Sequence, residues 1–100
     1  MYAVLGVWAA DPAKADQQYD GLRNEVIPLV RDLPGFVQGL WMGDDDTGRS
    51  HTNLIFDTEQ HARDFTDFMA AERLGAANDA GIALLGDFAV VPVIAETRLG

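Results

Sequence analysis

The spacing of apolar residues switches between two periods along the chain, and this switching limits the folds that the sequence can adopt. Strand-like spacing is found at residues 2–9, 36–42, 49–56 and 87–96, and helical spacing at residues 13–33 and from 57 or 58 onward. The order β-α-β-β-α-β is that of the split βαβ, or ferredoxin-like, arrangement. We therefore expect an α+β fold in which two helices cover one face of a four-stranded antiparallel sheet.

Turn and capping residues divide the chain at the same places. Asp11-Pro12 is a helix start, Leu33-Pro34-Gly35 is a helix stop, and Gly43 to Gly48 form the turn of a hairpin over residues 36–56. Gln60 is placed to reciprocate for Asp57 at the start of the second helix. Pro28 predicts either a kink in the first helix or a tighter last turn. Residues 73–86, which are rich in Gly and Ala, fit either a continued helix or a short extra turn followed by a loop.

Length and composition restrict the class of protein. One hundred residues fit one domain over residues 1–100, and the absence of cysteine excludes a disulfide scaffold, cysteine-ligated zinc and a cysteine nucleophile. The net charge of −9 disfavours nucleic acid and anionic membrane as partners. No apolar run approaches the ~20 residues of a membrane span, and the first residues lack a basic region. We expect a cytoplasmic protein.

The first and fourth predicted strands are apolar on both faces, although two helices can cover only one face of a sheet. A monomer would leave a large apolar surface in water, which soluble monomers rarely do. We therefore expect a homodimer in which a second sheet covers the bare face. Two facing sheets would also enclose a space for a ligand.

The third predicted strand carries the polar residues that suit chemistry. His51 is a candidate general base, with Tyr2 or Tyr19 behind it, and Asn53 is a candidate oxyanion donor. If Gly43 pairs with Arg49, Trp41 faces His51. The other interpretation is that the polar groups of His51 and Asn53 are hydrogen-bonded under the helices or at a solvent edge.

A small hydrophobic or aromatic ligand would suit the remaining candidates. We expect Trp8, Trp41 and Phe56 to form the apolar walls of its pocket. The expected polar anchors are Gln38 and Thr52. We expect no metal or other cofactor. Asp44-Asp45-Asp46 lacks the ligand spacing of a calcium loop and fits a solvated turn, while His61 is expected at the surface.

Three segments resemble the dimeric α/β-barrel superfamily, and in particular small proteins similar to antibiotic biosynthesis monooxygenases. They are residues 33–41 (LPGFVQGLW), 53–62 (NLIFDTEQHA) and 25–29 (EVIPL). The resemblance implies that two chains pack their sheets into a barrel, with a pocket on the side away from the helices. It also implies that Ser50, Thr52, Leu54 and Phe56 face the lumen, which leaves open which face of the third strand lines the pocket.

The resemblance implies a cofactor-independent monooxygenase acting on a small aromatic or polyketide-like molecule, because some members oxidise such molecules without flavin, metal or haem. Those oxygenases often carry Trp and Asn where this chain has Phe56 and Thr52. The histidine of the haem-degrading members has no match in residues 73–86. A non-catalytic binding or stress-associated barrel, and a cyclase or isomerase on the same scaffold, are the alternatives.

Overall fold

A computed structural model describes residues 1–44 and 46–99, which form one antiparallel sheet and two helical regions. The strands are β1 (Tyr2–Ala10), β2 (Phe36–Asp44), β3 (Arg49–Phe56), β4 (Ile82–Leu84) and β5 (Ala89–Pro92). The order across the sheet is β2-β3-β1, and β4 and β5 both pair with the free edge of β1. This is the expected ferredoxin-like architecture with one strand more than predicted.

The extra strand arises because the predicted fourth strand is divided. β4 pairs with the C-terminal end of β1, where Leu84 lies opposite Trp8, and β5 pairs with its N-terminal half. The turn-forming residues Gly86 and Asp87 separate the two strands. Phe88 follows this break, and its ring meets the Trp8 ring edge-on with 5.6 Å between centroids. The division therefore brings an aromatic side chain against β1.

The first helical region, residues 12–31, changes its winding three times. A 3₁₀ turn (Pro12–Lys14) leads into α1 (Ala15–Gly21), a π-helical segment (Leu22–Val26) and α2 (Ile27–Arg31). Pro28 cannot donate a backbone hydrogen bond, and its ring crowds the carbonyl four residues earlier. The chain accommodates it with the wider π turn, in which the N–H of Ile27 donates to the carbonyl of Leu22. The irregularity that Pro28 predicts is thus a π-helical segment.

The second helical region, residues 59–79, repeats this pattern. α3 (Glu59–Phe68), a π segment (Met69–Arg73) and α4 (Leu74–Asp79) follow one another, so the helix continues through half of the ambiguous Gly/Ala-rich stretch. Thr58 caps it, because its Oγ1 accepts the N–H of His61 at 3.1 Å. The expected reciprocal bond from Gln60 is absent, since Gln60 donates to Asp64 instead. No helix of the described residues is long and apolar enough to cross a bilayer.

The helices cover one face of the sheet, and the core lies between the two layers. Val4, Leu54 and Phe56 point to this side, and all three are fully buried. Val30, Ala62 and Phe65 meet them from the helices. Burying a large apolar side chain contributes about 1.5–3 kcal/mol, so this cluster holds the two layers together at one end of the sheet.

The opposite face of the sheet is uncovered and apolar at its centre. Five of its large apolar side chains are at least 36% exposed; they are Leu5, Val7, Leu40, Met42 and Val91. We call this surface the bare face. The polar residues that β3 places on it are Arg49, His51 and Asn53, because they pair with Ala9, Val7 and Leu5 of β1.

Candidate functional site

A cleft of about 470 Å³ lies between the sheet and the two helical regions, beside the core. This volume is within the range of about 300–1,000 Å³ that is typical of small-molecule sites. Large apolar side chains in its lining include Trp8, Leu22, Trp41, Met69 and Phe88. The space for a ligand is therefore on the helix side of the sheet within one chain. A pocket between two facing sheets, on the other face, stays a prediction.

Small residues leave this space open. The first helical region contributes Gly21 to the lining, the hairpin contributes Gly43, and the Gly/Ala-rich stretch contributes Ala76, Ala77 and Ala80. Larger side chains at these positions would fill the space between the sheet and the helices, as the core side chains do elsewhere in this layer. The composition that made residues 73–86 ambiguous as secondary structure thus forms one wall of the cleft.

One buried hydrogen bond joins the two central strands on the floor of the cleft. The indole Nε1–H of Trp8 donates to Oγ1 of Thr52 at 3.0 Å, and both residues are less than 9% exposed. Since the Thr52 oxygen accepts this bond, its own proton is left to donate to a ligand oxygen. The sequence named both residues as pocket candidates, and the structure places both in the lining.

Trp41 also lines the cleft, but through a register that differs from the expected one. β2 and β3 pair Gly43 with Ser50 and Trp41 with Thr52, whereas the prediction paired Gly43 with Arg49. A shift of one residue moves every side chain of a strand to the other face. Trp41 therefore lies beside Thr52 rather than His51, and its indole N–H makes no hydrogen bond to a described residue.

Gly39 explains how the Trp41 ring can lie along β2. A Cβ atom at Gly39 would come within 2.8 Å of the ring atoms Cη2 and Cζ3 of Trp41 and 3.0 Å of Leu54. Carbon atoms do not approach so closely without displacement. The glycine therefore makes room for the ring on the floor of the cleft.

The candidate catalytic residues His51 and Asn53 are exposed on the bare face. His51 borders the cleft at its hairpin end, but its cross-strand neighbours, Val7 and Met42, are exposed on the face away from the helices. Gln38 pairs with Ile55 and is exposed as well. The structure therefore separates these three side chains from Trp8, Trp41 and Thr52.

Phe56 belongs to the core rather than to the wall of the cleft. It is fully buried and packs against Phe36 and Phe65, with ring centroids 6.0 and 5.4 Å away. Its place at the end of β3 puts it under α3. Ser50, Thr52 and Leu54 are the residues of the same face that reach the cleft.

The sequence reasoning missed several lining residues on the helices. Tyr19, expected only as a residue behind His51, forms part of the cleft wall over the hairpin, where its hydroxyl would lie 3.8 Å from a Cβ added at Gly43. Glu25 and Arg73 line the cleft from the two π segments, with 3.8 Å between Oε2 and Nη2. The proline and the Gly/Ala-rich stretch were signals that these helices are irregular.

His61 lies away from the cleft and binds a neighbouring carboxylate. Its Nδ1 is 2.6 Å from Oδ1 of Asp57, and this hydrogen bond is the main reason why the pKa of Asp57 is lowered from its ordinary value of 3.8. Gly35, with a φ of +77°, makes the turn that passes close to this pair. Asp57 closes the same turn, because its N–H donates to the Gly35 carbonyl at 2.9 Å.

No group of three His, Cys, Asp or Glu side chains capable of holding a metal ion occurs among residues 1–44 and 46–99. In the acidic run, Asp45 lies outside the described residues. Asp44 Oδ1 accepts the backbone N–H of Asp46 at 3.0 Å, and Gly48, with a φ of +68°, turns the chain into β3.

Comparison with known proteins identifies the fold. No protein-family model matches the sequence, and a search of curated proteins gives no significant match. Among solved structures, a proposed antibiotic biosynthesis monooxygenase from Deinococcus radiodurans superimposes with a TM-score of 0.70 at 14% identity, over 100% of this chain and 97% of the other. The monooxygenase ActVA-Orf6 of Streptomyces coelicolor, in complex with nanaomycin D, gives 0.65 at 18% identity, over 98% and 92%.

A dimeric ferredoxin-like protein from an uncultured marine organism gives a TM-score of 0.67 at 8% identity, over 98% of each chain. At such identities the likeness establishes the fold alone. It confirms that the chain has the fold that its resemblance to the dimeric α/β-barrel superfamily implies.

Proposed function

We propose that the chain is an enzyme that binds a planar aromatic molecule in the cleft and oxidises it with dioxygen without a bound cofactor. The observation that carries this proposal is the pairing of Trp8 with Thr52 on the floor of a 470 Å³ cleft. The rings of Trp8, Trp41 and Phe88 offer faces and edges for a flat ligand. The monooxygenase ActVA-Orf6, which has the same fold, was solved in complex with the ligand nanaomycin D.

The proposed reaction uses the substrate as the source of electrons. A CH₂ group activated by a neighbouring phenol or carbonyl loses a proton to a base, and the resulting carbanion adds dioxygen to form a peroxide anion. This anion takes a proton back from the protonated base and becomes a hydroperoxide. Loss of water then leaves a new C=O group, so that one oxygen atom enters the product and the other leaves as water.

Each residue of the cleft has a part in this scheme. The Thr52 hydroxyl and the Trp41 indole N–H donate to the oxygen on which negative charge develops. The apolar walls exclude water from the reactive carbanion. Glu25 and Asp44 carry carboxylates that border the cleft, and they are the candidates to accept the substrate proton.

Dioxygen uptake with anthrone as the probe tests the proposal. We expect uptake above the uncatalysed rate, with one atom of ¹⁸O₂ in the anthraquinone product. The Thr52→Val variant should lower kcat about 10²-fold because one donor to the developing oxyanion is lost. Thr66→Val, on α3 and outside the lining of the cleft, is the matched control. Asn53→Ala decides between the faces, because Asn53 lies on the bare face and outside the lining of the cleft: loss of activity in that variant would place the chemistry on the bare face.

A binding protein without catalytic activity is the second candidate. His61 and Asn53 lie outside the cleft, and His51 only borders it, with its cross-strand neighbours Val7 and Met42 on the bare face. The histidines are therefore not placed to act as general bases on the floor of the cleft. Anthrone binding without dioxygen uptake would favour this candidate. Conversion of the probe under nitrogen would favour a cyclase or isomerase.

We also propose that a second copy of the chain covers the bare face. Five of the large apolar side chains of this face are 36–50% exposed, and a protein of the same fold is described as dimeric. Sedimentation equilibrium at micromolar concentration tests this proposal. A monomer under those conditions would contradict it.

A further inference from the structure

The two π-helical segments lie across the cleft from each other, and each contributes one charged side chain to its lining. Leu22–Val26 contributes Glu25, and Met69–Arg73 contributes Arg73. A π turn inserts a residue into a helix and is often found at functional sites. We call Glu25 and Arg73 the rim pair, because the Glu25 side chain is 70% exposed while that of Arg73 is 28% exposed.

The rim pair is loosely joined. Arg73 Nη2 and Glu25 Oε2 are 3.8 Å apart, whereas a charge-assisted hydrogen bond spans about 2.7–2.9 Å. Exposed pairs with such geometry contribute little to stability. Arg73 makes no hydrogen bond to another described residue, so its five N–H donors are available. A partly buried guanidinium with free donors is suited to bind an anion.

Arg73 is a positive charge in a protein whose overall charge is strongly negative. The net charge is −9, which repels anions in general. An anionic ligand would therefore need a local cation inside the cleft. Arg49, the other arginine of the lining, lies at the hairpin end, where it pairs across the strands with Asp44.

We propose that Arg73 binds an anionic oxygen group of the aromatic ligand, and that Glu25 competes with that group for the guanidinium. The ligand class is thereby narrowed to aromatic molecules that carry a carboxylate, sulfonate or phenolate oxygen near the rim of the cleft. Arg73 is then a specificity-determining residue, and Glu25 sets how strongly the charge is preferred. This inference rests on the proposed use of the cleft as the ligand site.

Two fluorescent probes that differ in charge test the inference. N-Phenyl-1-naphthylamine is neutral, and 8-anilinonaphthalene-1-sulfonate carries a sulfonate on a similar aromatic frame. We expect Arg73→Met to lower the affinity for the sulfonate probe about tenfold and to change the affinity for the neutral probe by less than about twofold. Glu25→Gln should raise the affinity for the sulfonate probe and leave the affinity for the neutral probe unchanged. Displacement of one probe by the other verifies that both occupy one site.

Arg23→Met is the matched control, because Arg23 pairs with Asp20 at 3.4 Å outside the cleft and both side chains are more than 65% exposed. The inference is overturned if Arg73→Met weakens both probes equally or neither, or if Glu25→Gln leaves the affinity for the sulfonate probe unchanged. If wild-type protein binds neither probe, the proposed function fails first. Glu25→Gln keeps Arg73 in place, so the test stands even if Arg73→Met does not fold.

Discussion

Replacing Thr52 by valine removes the hydroxyl that accepts the indole N–H of Trp8 at 3.0 Å, while a β-branched side chain stays in the strand. Trp8 is 7% exposed and Thr52 is 8% exposed. A buried donor without a partner costs about 1–3 kcal/mol. Because the cleft allows water to approach the indole, we expect the lower end of this range. A loss of about 1 kcal/mol lowers the melting temperature of a domain of this size by about 4–8 °C.

Thermal unfolding followed by circular dichroism measures this effect. All variants are compared at one protein concentration, because dimerisation would make the melting temperature depend on concentration. A double-mutant cycle with Trp8→Phe separates the hydrogen bond from the volume lost with the indole ring. We expect a coupling free energy of about 1 kcal/mol. Thr66→Val, whose hydroxyl is exposed and donates to the Arg63 carbonyl, should change stability by less than about 0.5 kcal/mol.

Two results would refute the reasoning. If Thr52→Val melts at the wild-type temperature, the bond does not stabilise the floor of the cleft. If the two single changes add within about 0.3–0.5 kcal/mol, Trp8 and Thr52 act independently, and the hydroxyl is not held by the indole in the way that ligand binding requires.

Three further variants test other parts of the structure. Gly39→Ala should destabilise the fold by about 1–3 kcal/mol and alter Trp41 fluorescence, because the new methyl group would lie 2.8 Å from the ring. Val7→Lys should yield a monomer in sedimentation, since it places a charge at the centre of the bare face. His61→Ala should show a shallower loss of stability in acid. The His61 hydrogen bond lowers the pKa of Asp57 from 3.8, so its contribution is present above pH 3.8 and is lost as the pH falls through the lower folded-state pKa.

Each of these variants has a control or a contradicting outcome. Gly75→Ala lies in α4 with nothing within 4 Å of the added Cβ, so it should stabilise the helix by about 0.5–1 kcal/mol; destabilisation by both glycine variants would point to a general effect. Ala70→Lys adds the same charge as Val7→Lys on an exposed helix position and should leave the dimer intact. If His61→Ala loses stability below pH 3.8 as steeply as the wild type, the histidine does not act through the carboxylate.

The order of the elements could be predicted from the sequence because the hydrophobic period and the turn residues agree. β3 begins and ends where the alternation indicated, at Arg49 and Phe56. The division of the last strand could not be predicted, since β4 and β5 are held by separate pairing with β1. Short strands of that kind depend on tertiary contacts more than on local pattern.

The site was harder to predict because it depends on register. The run from Gly43 to Gly48 contains only turn-forming residues, so the sequence does not specify which pair closes the hairpin. Asp44 pairs with Arg49, and the resulting shift of one residue moves Trp41 to the helix side. β1 is apolar on both faces, so its pattern could not tell which face meets the helices. The sequence predicted Trp8 and Thr52 as pocket residues, but it did not predict the hydrogen bond between them.

The most direct test of the central claim is a titration of ¹⁵N- and methyl-labelled protein with 1-naphthol, followed by NMR. The chain has two tryptophans, so each indole N–H gives one assignable resonance. If the cleft is the ligand site, the indole resonances of Trp8 and Trp41 shift together, and the methyl resonances of Val7 and Leu40 on the bare face stay in place. Shifts confined to those methyl groups, with both indoles unchanged, would contradict the account.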